Sequence, residues 1–274
     1  MAMFSLKAVS HSLTSALLLL AVGTSWAAAP APGNDPSTPA VEVSTMAQTV
    51  AAPSATPHCT ATLKPFKASY QSQGFGLELI IKRFLTHNAD GSWTATANTS
   101  RLFFTMNETA DFTVSNAQIK PMLYRYEQTA GGKKNRDWHF DYTNNTVTNE
   151  NPKQPWTLPL QAGAQDRFTH QLQIGLDLAC DPTRTADLVY GVPDRNKYDE
   201  YRFAIRGHET LDTALGKIDT IKLERLRGDN KRQDIIWVAP QWNYQMMLLR
   251  HVEKGETTDT KIISLELDGK AIKQ

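Results

Sequence analysis

From residue 197 onward the chain repeats one unit, a run of strand-forming residues followed by a short polar link. The runs are "YDEYRFAIRGHETLDT", "KIDTIKLERLRG", "RQDIIWVAP", "QMMLLRHVEKG" and "TKIISLELDG", joined by "ALG", "DN", "QWNY" and "ETTD". Links this short join antiparallel neighbours, because a parallel crossover takes a dozen or more residues. The earlier part is punctuated in the same way. "FKASYQS" leads to a pair of β-rich runs split by Asn88, Asp90 and Gly91, then come "ADFTVSN" and "MLYRYEQT". "NRDWHFDYT" follows, with Trp138, Phe140 and Tyr142 recurring at period two on one face. One segment breaks the rhythm. In "QDRFTHQLQIGLDLAC" the residues Phe168, Leu172 and Leu176 are four apart, and Asp166 stands where it can accept from the free amides of a first helical turn. The pattern predicts a mainly β protein. About ten antiparallel strands form one domain that is a curved sheet, half-barrel or barrel, with one amphipathic helix, since a twisted sheet of that width curls, splits or closes.

The first residues are of another kind. Lys7 is the only charge before the apolar run "SLTSALLLLAVG", and Ser25 and Ala27 supply a small-x-small exit. That order is a secretory signal peptide over residues 1–27, with cleavage after Ala27 and export to the periplasm as its consequence. The competing reading is an uncleaved anchor. A spanning helix needs about 20 mostly apolar residues, and Ser10, His11, Ser12, Thr14 and Ser15 interrupt this run, so no stable membrane span is expected in the mature form. No cysteine lies at the exit for lipid attachment. Residues 28–58, rich in Ala, Pro, Ser and Thr, contain almost nothing large to bury and read as a disordered linker. The folded domain is then 59–274. It holds the only two cysteines, Cys59 and Cys180, and in an exported chain an even count suggests a disulfide between them. Two unpaired buried thiols are the alternative. With 29 basic and 28 acidic residues the chain has no electrostatic reason to seek nucleic acid.

Three ionisable residues, His208, Glu209 and Asp212, crowd into "GHETLDTALGKIDT". On a strand His208 and Asp212 share one face and Glu209 the other, so they do not converge, and the histidine pair of a zinc-protease helix is absent. The stretch reads as a hairpin whose turn ends at Gly216. His139 and Asp141 share a face in "HFD", but two ligands do not close a metal site. His170 and His251 are isolated in sequence. A "GxSxG" elbow, a Walker loop and a dinucleotide fingerprint are all missing, and "GFGLEL" reads as a bend or bulge in a strand. The expectation is a non-enzymatic protein without catalytic residues, metal or cofactor.

The C-terminal hairpins together with "YxxxxxG" from Tyr70, "PxxY" at Pro121–Tyr124, "FDY" at Phe140 and "LPLQAGAQDRFTHQLQI" at Leu158 resemble the family catalogued as domain of unknown function 3108. Those are exported proteins of Gram-negative bacteria. Gly207, Glu209, Gly216, Trp237 and Pro240 are the matching positions, and the resemblance implies location and fold rather than an activity. A looser fold-level likeness is to periplasmic lipoprotein carriers, whose curved sheet shelters acyl chains. The expected role is therefore a binding or carrier module for an apolar, lipid-like ligand. Its wall would be formed by Phe84, Trp93, Phe103, Trp138, Trp237 and Met246, with Phe75, Leu77, Leu79 and Leu223 beside them, although each alone reads first as an ordinary core residue. The alternative is a structural or partner-binding protein of the cell envelope that docks another protein through a sheet edge or the linker.

Overall fold

The computed structural model describes residues 59–74, 77–101, 104–129, 135–228 and 231–273, so the leader and linker expected over 1–58 lie outside the described residues. Strands make up most of what is described, and several of the longer ones show alternating burial. In β3 (Trp93–Arg101) positions 93, 95, 97 and 99 are buried while the residues between them are half-exposed. β5 (Gln118–Gln128) shows the same rhythm. β1 (Phe66–Gly74), β2 (Leu77–His87) and β4 (Phe104–Ser115) complete the first meander with β6 (Arg136–Asp141), β7 (Thr146–Asn149) and β8 (Trp156–Pro159). After the helix α1 (Thr169–Cys180) a second meander runs through β9 (Leu188–Asp194), β10 (Lys197–Thr213), β11 (Gly216–Leu226), β12 (Arg232–Ala239), β13 (Gln245–Glu253) and β14 (Glu256–Leu267). The short β15 (Lys270–Ile272) pairs with β14.

All fifteen strands belong to one antiparallel sheet in the order β8-β7-β6-β5-β4-β3-β2-β1-β14-β13-β12-β11-β10-β9. The two meanders are joined where β1 lies between β2 and β14, Phe66 facing Leu267 on one side and Leu85 on the other. The expected count of about ten is too low. β7 and β8 alternate in burial but have only four residues each and β15 has three, too short for the sequence to mark them out from loops.

The sheet closes almost completely on itself. Its two edges, β8 and β9, do not pair, and the segment after β8 bridges them instead. The Tyr198 hydroxyl on β10 donates to Pro159 O at 3.1 Å and accepts from Gln161 N at 3.2 Å, and Gln165 N donates to Gly191 O at 2.9 Å. α1 then enters the concave side. The Asp166 carboxylate accepts from the N–H groups of Phe168 and Thr169, both at 2.7 Å, as its sequence position predicts. Yet the helix is not wetted on its polar side, because His170 and Gln173 are buried beside Ile174, Leu176 and Leu178. Gln173 replaces a missing strand neighbour, accepting from Ile119 N at 2.8 Å and donating to Ala117 O at 2.9 Å, while Gln165 donates to Ile119 O at 3.0 Å. At the other end Tyr244 donates to the last-turn carbonyl of Leu178 at 3.1 Å. Cys180, closing the helix, forms the disulfide with Cys59, so the segment before β1 is tied to the end of α1. No helix of the described residues is long and apolar enough to cross a membrane.

Candidate functional site

The hairpin β10–β11 disposes of the charge-rich stretch first. His208 pairs with Ile221 and Glu209 with Thr220, after a bulge at Gly207, whose φ of 101° suits only glycine. The Glu209 carboxylate accepts from the Trp237 indole at 2.9 Å and meets Lys222 at 3.3 Å, while Asp212 is an exposed strand residue facing Lys217. The three side chains do not share a site. Nor do His139 and Asp141. His139 lies 3.2 Å from Asp137 and 3.4 Å from Glu150, whereas Asp141 holds the following turn through the amides of Thr143 and Asn144. Among the described residues no group of three or more His, Cys, Asp and Glu side chains is placed to hold a metal ion.

The proposed apolar wall is divided between the two faces of the sheet. Trp138 is fully buried on the concave side, against Tyr124 at 4.8 Å and Trp156 at 5.7 Å. Trp93 shares the buried face of β3 with Ala95 and Ala97 and stacks on His87 at 4.4 Å. Trp237 and Phe84 turn away. Ile236 and Val238, its neighbours, line a cleft against α1, so Trp237 takes the opposite face of β12, where Lys222, Arg250 and Glu209 cover it to 2% exposure. Phe84 alternates in the same way with Arg83 and Leu85. Met246 lines the cleft, and Leu223 is buried in the core. Leu79 is half-buried against that core. Phe75 and Phe103 lie outside the described residues, and the side chain of Leu77 is not among those described.

What the concave side holds instead is charge among aromatic rings. Glu108, 1% exposed, accepts from the Tyr124 hydroxyl at 2.6 Å through Oε1, and its Oε2 has no hydrogen-bond partner among the described residues. Burial pushes this carboxyl up to about 7, although the Tyr124 hydrogen bond and the guanidinium groups of Arg83, Arg136 and Arg167 pull it down. Arg167 is 3.1 Å from Asp194 and lies over the Trp138 ring. Arg136 lies over Tyr126 and Trp138, and Arg83 over Phe168 at 4.6 Å. Such contacts give guanidinium groups part of what water would have supplied. Across the barrel, Asp234 is held by His251 Nδ1 at 2.6 Å and by Arg227, with Arg225 at 3.9 Å stacked over Tyr201. Burial would raise the Asp234 carboxyl, but these partners outweigh it and hold it below the usual range. His170 stacks on Phe203 and meets Tyr201 edge to face, and burial drives it down to about 3, so it is neutral near pH 7, a core histidine rather than a ligand.

Sequence reasoning missed the buried acids and arginines, although one signal was present. Glu108 shares strand parity with Ala110 and Phe112, so an acid was written onto an apolar face.

A cleft of about 40 Å³ opens where α1, the segment before β1 and the β12–β13 connection meet. Leu63, Phe66, Leu85, Leu172, Ile174 and Met246 form much of its lining, and Arg83, Gln171, Gln245, Thr62 and Asn243 are among its polar members, with the exposed Lys64 beside them.

Comparison with known proteins adds the family. No curated protein matches the chain. Among solved structures, a β-barrel-like protein of domain of unknown function 1849 from Brucella abortus superposes with a TM-score of 0.53 at 9% identity, covering 76% of this chain and 99% of that one. LprF from Mycobacterium bovis is 10% identical over 72% of this chain and 84% of its own, at a TM-score of 0.25 that is too low to bear an argument. The first likeness agrees with the near-closed barrel. The family described as a protein of unknown function, DUF3108, matches residues 87–258, from the end of β2 to the start of β14, and the chain therefore belongs to the DUF3108 family.

Proposed function

We propose that this chain is an exported, non-catalytic binding module of the bacterial periplasm that holds a lipid-like molecule by one end. The observation that supports this reading is the cleft between α1 and the barrel wall, where apolar side chains such as Leu85, Ile174 and Met246 meet polar ones and the disulfide braces the end of the helix. Whole drug-sized ligands occupy pockets of roughly 300–1,000 Å³, so a space of about 40 Å³ fits only the end of a chain-like molecule. Native mass spectrometry of the protein purified from its own envelope fraction tests the reading. An additional lipid-sized mass, lost on denaturation, is the expected result, and a bare polypeptide mass in every preparation would overturn it. The same measurement reads the processing, since export with cleavage after Ala27 gives a mature chain beginning at Ala28. A detergent-extracted product retaining Met1 would contradict that part.

A second reading, docking of another envelope protein, is favoured by one feature. Val189 on the edge strand β9 is 44% exposed, beside backbone that no strand covers. Cross-linking from position 189 in the intact envelope separates the two readings, because a single protein adduct in place of a bound lipid would favour docking.

A further inference from the structure

Arg83 differs from the other buried cations of the barrel. It is 7% exposed, yet its guanidinium makes no hydrogen bond or ion pair with any described residue, and its close contact is the face of Phe168 at 4.6 Å. Its counterparts are matched, Arg167 with Asp194 at 3.1 Å and Arg225 and Arg227 with Asp234. Buried charges are paired as a rule, because the cost of taking them out of water is several kcal/mol per ion. The acid that feels Arg83 is Glu108, but Glu108 already accepts from Tyr124, and its carboxyl is only partly ionised near neutral pH. Arg83 also lines the cleft, and Lys64 places a second cation at the cleft's edge. The cleft's volume, about 40 Å³, is room for about three waters, at the ~10–15 Å³ each requires. That is the size of one carboxylate or phosphate group.

We infer that the cleft is a binding site for an anionic group, a carboxylate or phosphate, with Arg83 as its cationic anchor and the apolar lining of Leu85, Ile174 and Met246 around whatever the group is attached to. The proposal rests on the binding-module reading for the nature of the attached part, and the anion itself can come from a lipid headgroup or from a free ion. A guanidinium held in place by an aromatic ring recognises such oxygens with two parallel donors, which a lysine in its place does not reproduce.

Calorimetric titration of the intact mature protein with octanoate, 1-octanol and inorganic phosphate decides. Octanoate is expected to bind at least tenfold more tightly than 1-octanol, with Arg83→Gln reducing octanoate to the level of the alcohol and Arg83→Lys restoring part of the difference. Arg125→Gln, an exposed residue paired with Asp137 elsewhere, should change nothing. Equal binding of octanoate and 1-octanol in the parent would overturn the anchor and leave the lipid-binding module standing. Phosphate binding that Arg83→Gln abolishes, without binding of either octyl probe, would uphold the anion site and remove the lipid reading. Binding of none of the three would overturn both. If Arg83→Gln fails to fold, the octanoate-to-octanol ratio of the parent still decides the matter.

Discussion

Glu108 and Asp234 lie on opposite walls of the same barrel, each with about 1% of its surface exposed, and they titrate in opposite directions. Glu108 is pushed up to about 7, whereas Asp234 is held below the usual range of an aspartate. Burial cannot be the difference. Asp234 has donors in contact on one oxygen or the other, His251 and Arg227, whereas Glu108 has one neutral donor and an oxygen with no hydrogen-bond partner among the described residues. A charge stays on a buried carboxylate when its partners touch it, and arginines at longer range do not suffice. One wall thus holds its carboxylate in direct ionic contact, and the other is a region where a carboxyl oxygen has been left without a donor near the cleft.

The largest expected effect tests whether the two walls share one stability. Replacing both cysteines, Cys59→Ser with Cys180→Ser, opens a loop spanning a sequence separation of 121, worth about 4–5 kcal/mol in the chain-entropy account. Urea unfolding should show one transition moved to lower denaturant, and two separate transitions would mean the walls unfold independently.

Asp234→Ala comes next. It leaves His251, Arg225 and Arg227 facing one another without their acid, and a loss of about 3 kcal/mol is expected. A loss below about 1 kcal/mol would mean that this network behaves like a surface pair.

Glu108→Gln should act with the opposite sign and only as pH rises. Because its carboxyl lies at about 7 in the folded chain against 4.5 unfolded, the folded state keeps a proton that the unfolded state has lost. The resulting stabilisation is complete below pH 4.5 and disappears as pH climbs through 7. Glutamine carries no such dependence, so the variant should gain on the parent across that window, by up to about 3 kcal/mol. Asp166, also raised to about 7, mainly by burial, feels the Glu108 charge as well, so it keeps a slope of the same sign in both proteins and a smaller one in the variant. Thermal midpoints from pH 4 to 8 check this, and a difference that stays flat would place Glu108 among contacts as firm as those of Asp234.

The smallest effects lie outside the barrel interior and sharpen what is structural there. Gly216 begins β11 at φ 102°, so Gly216→Val should cost about 1–3 kcal/mol, whereas His208→Ala, on an exposed strand position, should stay within about 0.5 kcal/mol. The reverse order in thermal unfolding would reinstate a special role for the histidine.

The elements that sequence made legible are those whose signal is local. The turn at Asn88–Gly91, the helix behind Asp166 and the meander from residue 197 each announce themselves within a few positions, and each is present. The apolar wall was not legible in the same way. In "IIWVA" every residue is apolar, so parity alone could not say that Ile236 and Val238 face α1 while Trp237 takes the opposite face, and the register shift between Trp237 and Val238 complicates the count further. The charged interior was harder still. Arg83, Glu108, Arg136 and Arg167 are drawn from β2, β4, β6 and the entry to α1, and only the curvature of a closed sheet brings them near one another.

β1 is hydrogen-bonded on both flanks, to the strand that follows it and to β14 near the other end of the described chain. During synthesis, β1 to β8 can pair in order as they emerge, and β9 to β13 can do likewise, but the two pieces have no shared ladder until β14 arrives. Contacts between residues as distant as Phe66 and Leu267 form slowly because most of the chain's freedom is lost before they close. The barrel is therefore a structure that its last long strand completes. A polypeptide stopped before Glu256 would hold two incomplete sheets with bare edges at β1 and β13, the arrangement most open to pairing with another copy of itself.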